Sequence, residues 1–410
     1  DRTVHKGDLT GIEIINRLME QVWARPVKRL EEHRAIALIP DAEGEGIAGC
    51  LFIDIRTGGF RLVEAKAVLL ATGGGPTMYR YHTPSGDKSM DGLAMALAAG
   101  LRLRDMEMVQ FHPTGLLAGT ETRMTGTVLE EGLRGAGGHL LNGAGERFMA
   151  QQEERAERAT RDIVSRSIYR EMQAGRTTPN GGVYLRMDHL GIDNVRRQFK
   201  GMVERCADCG FDLAGAGVEV VPTAHYLMGG VICDVDTSTS LPGLYVAGED
   251  AGGVHGANRL SGNGVANSTV FGGIAGEIMA ESVVNRRQLP INMGTVDEAV
   301  AAALKPVNLA AGDLNGIRER LSDLMWDDAG VIRTAEGLER AIAGLDTLQD
   351  ELEQTGISGV DLCFNLTWHD WLNLDNLITV SKAVATAGLS RENSRGAHYR
   401  DDFPEPGDLN

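Results

Sequence analysis

The sequence predicts an α/β domain of the dinucleotide-binding type followed by a helical domain, and three observations favour this fold class. Residues 66–75 read KAVLLATGGG, a buried strand that runs into a glycine turn, as strands that close a dinucleotide-binding sheet commonly do. Residues 244–247 form a second short apolar run that ends at Gly248, and a segment of small residues from Gly264 predicts a helix whose N-terminus faces that turn. Residues 294–389 are mostly helical by pattern.

The other elements follow from local pattern. Apolar residues at helical spacing over 12–22 predict a first helix, and residues 35–39, 46–55 and 61–63 predict three strands. Residues 90–100 predict a second helix.

Two further helical predictions concern the later part of the chain. Thr160 is placed to cap a helix that continues to Met172, with Ile163 and Ile168 facing inward. The last part is predicted to be an antiparallel helix bundle with helices over residues 296–304, 311–324, 335–351 and 372–387.

The start of the chain lacks a feature that this fold class ordinarily has. A dinucleotide-binding domain begins with a strand, a GxGxxG turn, a helix and an acidic residue about twenty positions later. No such segment precedes Asp1. We therefore expect either another kind of fold or a chain that begins after the first half of its domain.

Length and charge bound the function classes. With 410 residues the chain is long enough for two or three domains. Its formal net charge of −17 argues against nucleic acid as a partner, because phosphate binding needs basic stripes. No apolar run approaches the roughly eighteen residues of a membrane span, and no signal-peptide core is visible, so a cytoplasmic or membrane-peripheral location is expected.

The five cysteines show no disulfide framework, which fits a reducing compartment. Cys206 and Cys209 form the only close pair. One CxxC without a second pair or a nearby histidine is a weak metal signal. We interpret the two as helix-surface thiols and predict no metal site.

Candidate site residues cluster between Pro222 and Gly276. Glycines, which allow close backbone approach, alternate there with His225, His255, Asn258 and Arg259, side chains that can hold an anion. This combination suggests a large cofactor beside an acidic substrate.

Five more candidate residues lie earlier in the chain. His112 precedes Pro113 and must be in extended geometry. Glu130, Glu131 and Arg134 form an acid–base cluster, for which a solvated surface ion pair is the simpler interpretation. Arg161 lies at the predicted start of a helix, where the helix dipole disfavours a cation. This unfavourable position suggests that Arg161 has a function other than stabilising its helix.

Nine phrases in register resemble the flavoprotein subunits of succinate dehydrogenase and fumarate reductase, and their relative L-aspartate oxidase. They are AVLLATGGG (67–75), MDGLAMALAAG (90–100), LRDMEMVQFHPTG (103–115), EEGLRGAGG (130–138), RDIVSRSI (161–168), PTAHYLMGGV (222–231), GLYVAGE (243–249), HGANRL (255–260) and SRGAHYRDDFP (394–404). The resemblance implies a Rossmann-like α/β FAD-binding domain, here incomplete, with an inserted α+β capping domain and a C-terminal helical bundle.

Against that family, the chain is expected to lack the first third of the FAD domain and to stop before the usual C-terminal end. The implied division gives the last part of the first FAD-domain segment, the capping domain, the FAD-domain return segment and a truncated helical domain. These span residues 1–104, 105–221, 222–288 and 289–410.

The resemblance also implies roles for the candidate residues. Its substrates are small dicarboxylates, and Arg259 matches the arginine that grips one carboxylate, a task suited to a planar fork. His112 and His225 match the histidines that hold and polarise the other end. Glu130 stands where the family has a threonine that bonds a substrate carboxylate, so its carboxylate would repel a dianion unless it is protonated or turned away.

Arg161 matches the family's proton-transfer arginine, and Glu131 and Arg134 match the relay that supplies it. Because arginine is almost never deprotonated, it suits the acid in fumarate reduction better than the base in succinate oxidation.

The cofactor implied by the resemblance is FAD. Glu249 matches a residue that bonds ribityl or ribose hydroxyls, and Gly264 and Val265 match the helix N-terminus under the flavin N1–C2=O edge, where positive potential favours reduced flavin. Gly264 replaces a family serine. The full set of implied FAD contacts is Ala71, Thr72, Gly73, Gly74, Asp91, Gly248, Glu249, Asn263, Gly264 and Val265.

The first function that the resemblance implies is FAD-dependent interconversion of fumarate and succinate, by hydride transfer at flavin N5 and proton transfer by Arg161. The implied partners are an iron–sulfur subunit or another electron acceptor, with peripheral membrane association through such partners. Two alternatives stay open: oxidation of L-aspartate or another small dicarboxylate, and a non-catalytic fragment that cannot hold FAD. His255 is then expected to be structural.

Overall fold

The computed structural model describes residues 6, 10–119, 122 and 124–408. The strands are β1 His33–Pro40, β2 Ile47–Asp54, β3 Gly59–Glu64, β4 Val68–Leu70, β5 Leu103–Arg104, β6 Val109–Leu116, β7 His139–Leu141, β8 Val183–Arg186, β9 Gly217–Leu227, β10 Gly230–Val231 and β11 Leu244–Val246.

The helices begin and end close to the predicted positions wherever the apolar periodicity is clear. They are α1 Thr10–Trp23, α2 Asp91–Ala98, α3 Glu131–Gly135, α4 Met149–Gln152, α5 Arg161–Gln173, α6 Ile192–Gln198, α7 Lys200–Ala207, α8 Asn263–Val284, α9 Met293–Leu304, α10 Leu314–Asp328, α11 Ala335–Gln354 and α12 Leu366–Ser390. Four short 3-10 turns cover Ala156–Arg158, Asp188–Leu190, Gly248–Asp250 and Lys305–Asn308.

The two predicted strand–glycine segments lie side by side. Strand β4 pairs with β11 in parallel, with Val68 opposite Leu244 and Leu70 opposite Val246. Both strands therefore end at the same edge, where Thr72 and Gly248 follow them. This edge is where ligands bind in open parallel sheets.

The three strands predicted between residues 35 and 63 form an antiparallel meander in the order β1-β2-β3. Strand β1 packs against α2 and α9, and β2 contacts β4, so the meander lies between the parallel pair and the later helices.

The segment between β4 and β11 contains a sheet of its own. Its four antiparallel strands have the order β6-β9-β8-β7. Helices α3 and α5–α7 contribute to a separate hydrophobic core with this sheet, which includes Leu116, Leu140, Ile168 and Val220, all fully buried. Both strands of the sheet's long pair, β6 and β9, also reach the main core, through Phe111 and Leu227 at one end of the pair.

Helices α10, α11 and α12 pack against one another as a bundle, whereas α9, which was predicted to be its first helix, packs on β1. Helix α12 begins six residues before its predicted start because Asn365 caps it, with the Asn365 side chain accepting the Trp368 N–H at 3.0 Å. The polar residues Thr367, His369 and Asp370 interrupt the apolar pattern over the first six residues, which is why the sequence pattern missed this part of the helix.

The interpretation of Cys206 and Cys209 as surface thiols was wrong for Cys206. That side chain lies on α7 facing the core of the β6–β9 sheet and is fully buried, and Cys209 is partly buried. Burial raises the pKa of the Cys206 thiol to about 12, so it is a poor source of a thiolate. Within residues 10–119 and 124–408, no three His, Cys, Asp or Glu side chains are grouped to hold a metal ion.

No helix in the described part of the chain is both long and apolar enough to cross a bilayer.

Trp368→Ala is expected to lower the free energy of unfolding by about 3–5 kcal/mol, the usual cost of truncating a buried Trp. The indole is fully buried, packs edge-on to Phe60 at 6.1 Å and donates its N–H to the Ala303 carbonyl at 2.7 Å. Denaturant unfolding measures the change. Leu366→Ala, on the same helix but 71 % exposed, is the control and should change stability by less than about 0.5 kcal/mol.

Candidate active site

The candidate site lies where strands β6 and β9 meet the loop that precedes α8. His112 lies on β6 opposite Thr223, two residues before His225 on β9, and the two imidazole rings are 5.6 Å apart. His225 bonds Thr83 Oγ1 through Nδ1 at 2.9 Å. The pairing of β6 with β9 thus brings together two predicted site residues that are 113 positions apart in sequence.

Both histidines are neutral at ordinary pH. Burial, with the nearby Arg161 second, lowers the pKa of His112 well below its usual range and that of His225 to about 3. The Thr114 N–H points to His112 Nδ1 at 3.3 Å, which makes Nδ1 the acceptor and leaves the proton on Nε2. The pair can therefore offer N–H donors without carrying charge.

Arg161 is the first residue of α5, and its side chain turns away from its own helix. Its Nη1 donates to Gln110 Oε1 at 3.0 Å, and its Nη2 donates to Glu131 Oε2 at 3.0 Å and to Ser261 Oγ at 2.7 Å. Thr160 takes the predicted N-cap position, although its side chain makes no capping bond. The partners come from three other elements, so Arg161 is held by tertiary contacts.

Glu131 and Arg134 lie one turn apart on α3 and continue the contacts of Arg161. Arg134 Nη2 donates to Glu131 Oε1 at 3.2 Å, and Arg134 Nη1 donates to the Glu157 carbonyl at 2.6 Å. Arg134 is 1 % exposed, so the alternative of a solvated surface ion pair does not hold. Burial alone would raise the pKa of Glu131, but Arg161, Ser261 and Arg134 together lower it.

Arg259 is 7 % exposed and lies with its guanidinium 4.3 Å above the ring of Tyr226. This cation–π contact fixes the plane of the guanidinium. The buried Arg259 Nε has no hydrogen-bond partner among the described residues. An acceptor such as a carboxylate would satisfy it, since a buried unpaired donor is costly.

Gln110 joins the two arginines and was missed by the sequence analysis. Its side-chain oxygen accepts from Arg161, while its Nε2 donates to the Arg259 carbonyl at 2.8 Å and to Asn258 Oδ1 at 3.0 Å. Asn258 in turn donates to Asp162 Oδ1 at 2.8 Å. Gln110 is two residues before His112 on the same strand and therefore on the same face, a signal that strand alternation could have supplied.

Glu130, predicted to contact substrate, is the N-cap residue of α3. Its side chain folds back over Gly132: a Cβ at Gly132 would lie 3.7 Å from the Glu130 carboxyl carbon and 3.7 Å from the ring of Phe199. Its role toward substrate stays a prediction.

The predicted cofactor contacts lie at the end of the parallel strand pair, where the glycine turn after β4 contacts the turn after β11. A Cβ at Gly74 would lie 1.8 Å from the carboxyl carbon of Glu249, so only glycine permits this approach. Glu249 accepts the Leu227 N–H at 2.9 Å, and burial raises its pKa to about 7. Gly73 and Gly248 both have positive φ, as their turns require.

Asp250, also missed from sequence, anchors this edge. Thr72 donates to it twice, from its backbone N at 2.5 Å and from Oγ1 at 2.9 Å, and the Gly92 N–H donates to Thr72 Oγ1 at 3.1 Å. Asp250 is 1 % exposed, and burial raises its pKa to about 6.

The predicted cofactor contact Asp91, next to Gly92, instead makes three bonds that hold the start of α2. Its Oδ1 accepts from Arg34, Ser89 and Asn376, at 2.8, 2.8 and 2.5 Å. The Asp91 side chain remains 32 % exposed, so part of it is accessible.

Helix α8 begins directly after the loop that contains Arg259. Gly262, with a φ of +82°, is its N-cap, and Asn263 and Val265 in the first turn are exposed. A Cβ at Gly264 would lie 3.0 Å from the Tyr226 ring and 3.1 Å from Arg259 Nη1. Glycine at this position thus lets the Arg259–Tyr226 pair lie against the helix start.

His255, for which we expect a structural role, bonds other side chains of the site. Its Nε2 bonds Tyr226 Oη at 3.1 Å, and Asn267 Nδ2, which donates to the Gly248 carbonyl at 3.0 Å, lies close to both. Burial lowers the pKa of His255 to about 4. The group supports Tyr226 beneath Arg259.

Comparison with known proteins gives consistent matches over nearly the whole chain. Residues 1–265 match the family described as "FAD binding domain", and residues 318–410 match "Fumarate reductase flavoprotein C-term".

Two similar relatives have named activities. A subunit of the CoM/CoB fumarate reductase of Methanothermobacter marburgensis is 37% identical over 98% of this chain and 73% of its own length. L-aspartate oxidase of Synechocystis sp. is 34% identical over 98% of this chain and 74% of its own length. A solved quinol–fumarate reductase with menaquinol molecules has a TM-score of 0.92 at 31% identity, over 100% of this chain and 74% of that chain.

Proposed function

Because this chain belongs to the FAD-dependent fumarate reductase and succinate dehydrogenase flavoprotein family, we propose that it interconverts fumarate and succinate. The family membership confirms the predicted fold class of an FAD-binding α/β domain with a C-terminal helical domain, and FAD as the cofactor. One observation supports the substrate proposal: two separate groups that can hold a carboxylate, Arg259 and the His112–His225 pair, lie near the hydrogen-bonded Arg161.

The residues present fit FAD. The backbone at Gly74 lies directly against the Glu249 carboxylate, and the space beside Gly73 is open, since a Cβ there would meet nothing within 4 Å. Glu249, partly buried, can accept from a sugar hydroxyl. The start of α8 offers backbone N–H groups and a positive dipole end to an electron-rich ring edge. When bound, FAD supplies the hydride chemistry of this family.

The protein's own residues would do the remaining work. Arg259, fixed on Tyr226, grips one carboxylate of the diacid, and the neutral His112 and His225 donate to the other. Binding at both carboxylates fixes the position and orientation of the C4 chain. Such positioning can lower the activation free energy by about 7–11 kcal/mol.

The proton for fumarate reduction would come from Arg161. A guanidinium has N–H protons that it can donate, so Arg161 can act as an acid. Glu131, with Arg134 behind it, offers a route by which the proton is replaced. The electron partner that we propose is an iron–sulfur subunit, in keeping with the multi-subunit character of this family.

L-aspartate oxidation is the second candidate. It is favoured by the 34% identity to an L-aspartate oxidase and by Glu130, a carboxylate at the edge of the α3 cluster that could meet a substrate ammonium.

Steady-state turnover of the holoenzyme with fumarate, succinate and L-aspartate separates the candidates. Reduction of fumarate or oxidation of succinate supports the first proposal. Oxidation of L-aspartate without turnover of either C4 diacid would establish the second and exclude the first.

Gly74→Ala is expected to weaken FAD binding by at least about 10-fold, or about 1.4 kcal/mol. The new Cβ would lie 1.8 Å from the Glu249 carboxyl carbon and drive this side chain from its bond to Leu227. The flavin absorbance retained per protein after gel filtration measures the effect. Gly86→Ala, where a Cβ meets nothing within 4 Å, is the control; equal FAD retention by both variants would contradict the assignment.

A further inference from the structure

Ser261 belongs to the loop between Arg259 and α8, yet its side chain contacts residues from two other elements. Its Oγ accepts from Arg161 Nη2 at 2.7 Å and donates to Glu131 Oε2. Because the hydroxyl has one hydrogen, and Glu131 as a carboxylate can only accept, the direction of both bonds is determined.

These bonds occupy nearly every donor of Arg161. A guanidinium has five N–H groups. Nε and one hydrogen of Nη2 point to Glu131 Oε2, the second Nη2 hydrogen points to Ser261, and one hydrogen of Nη1 points to Gln110. Within the residues that the structure describes, the fifth N–H, on Nη1, has no partner.

Ser261 also differs from the other partners in where it lies. Glu131 and Gln110 belong to the elements inserted between β4 and β11, whereas Ser261 is two residues after Arg259. Gln110 also links Arg161 to this loop, since it accepts from Arg161 and donates to the Arg259 carbonyl. Arg161 is therefore linked to the loop of Arg259 by two routes, directly through Ser261 and indirectly through Gln110.

We infer that Ser261 is a positioning residue for proton transfer: with Glu131 and Gln110 it orients the Arg161 guanidinium so that Nη1 presents the free N–H to the substrate. This inference rests on the proposed function, because it names the nitrogen from which the proton leaves. In fumarate reduction the Nη1–H bond would break as the proton bonds to one alkene carbon, while reduced FAD, when bound, would supply the hydride to the other carbon. Arg161 then regains a proton by way of Glu131.

Loss of the hydroxyl should be visible in the pH dependence. Arg134 from α3, His112 from β6, His225 from β9 and Arg259 from the same loop all face the Arg161–Glu131 pair. Ser261 is one of the groups that lower the pKa of Glu131. If an ionised Glu131 is required, activity falls as pH falls through the pKa of Glu131, which gives the pH profile an acid limb. Removing the Ser261 hydroxyl raises that pKa and therefore moves the acid limb to higher pH.

The test compares Ser261→Ala, Ser261→Thr and Ser282→Ala in the holoenzyme. Ser282 lies at the far end of α8, where it donates to the Met279 carbonyl. For Ser261→Ala we expect kcat for fumarate to fall about 10-fold, corresponding to about 1.4 kcal/mol, with KM and the Kd of malonate nearly unchanged. Ser261→Thr should restore most of kcat and the position of the acid limb, and Ser282→Ala should match wild type.

Crystal structures of the two Ser261 variants give a readout that is independent of turnover. Ser261→Ala should leave the Arg161 guanidinium in more than one orientation, and Ser261→Thr should keep a single one. Wild-type kcat and pH profile in Ser261→Ala, a rise in KM and Kd at unchanged kcat, or an unmoved Arg161 would each overturn the inference. A wild-type enzyme inactive on fumarate would overturn the proposed function instead, while the Arg161 orientation would still decide the role of Ser261.

Discussion

Arg161→Gln is expected to lower kcat for fumarate reduction by about 10³-fold, within the range of 10²–10⁴ that a positioned acid contributes. Glutamine keeps hydrogen-bonding capacity toward Glu131 and Ser261, but its neutral amide is too weak an acid to transfer a proton. Because the change removes a transition-state interaction, KM should change little. Stopped-flow or steady-state assays of fumarate reduction measure the effect.

Arg158→Gln is the matched control, since Arg158 is exposed and lies three residues earlier in the chain. It should retain wild-type kcat. Bound FAD and the unfolding midpoint should be unchanged in both variants, which separates a catalytic defect from a folding defect. A kcat for Arg161→Gln within 10-fold of wild type would remove Arg161 from the proposed proton path.

Arg259→Met is expected to weaken binding of dicarboxylates by about 10²-fold, because truncating one partner of a buried charged hydrogen bond costs about 2–5 kcal/mol. Methionine retains the apolar contact with Tyr226 but cannot bond a carboxylate. The Kd of malonate, which cannot react, is measured by calorimetry, and KM for fumarate should rise in parallel.

Arg320→Met controls for loss of one positive charge, since Arg320 is an exposed residue of α10 that pairs with Glu351. Its malonate Kd should equal that of wild type. A malonate Kd for Arg259→Met that matches this control would mean that the carboxylate is held elsewhere.

Much of the fold could be predicted from sequence because the relevant signals are local. The apolar runs before Gly73 and Gly248 gave both strands of the parallel pair, and 3.6-residue periodicity gave α9–α12. Among the candidate site residues, Arg161 stood out because a cation at a helix start is disfavoured without tertiary partners, and the structure supplies those partners.

The residues that were missed act through tertiary contacts that no local pattern specifies. Ser261 and Asp250 are ordinary loop residues until the fold brings Arg161 to one and Thr72 to the other. Cys206 was wrongly placed on a surface because its spacing from Cys209 says nothing about which face of α7 packs on the sheet. The four-part division of the chain stays a prediction.

The parallel pairing of β4 with β11 has a consequence for the order of folding. Val68 and Leu244 can meet only after the chain between them, about 175 residues, has closed a loop. For a flexible loop of that length the entropic cost is about 4.5 kcal/mol above a constant, by the (3/2)RT ln n relation. The intervening sheet has a hydrophobic core of its own, so its prior folding would shorten the loop that remains. The edge that holds Thr72, Gly74 and Glu249 is therefore expected to be assembled late, after the inserted sheet has formed.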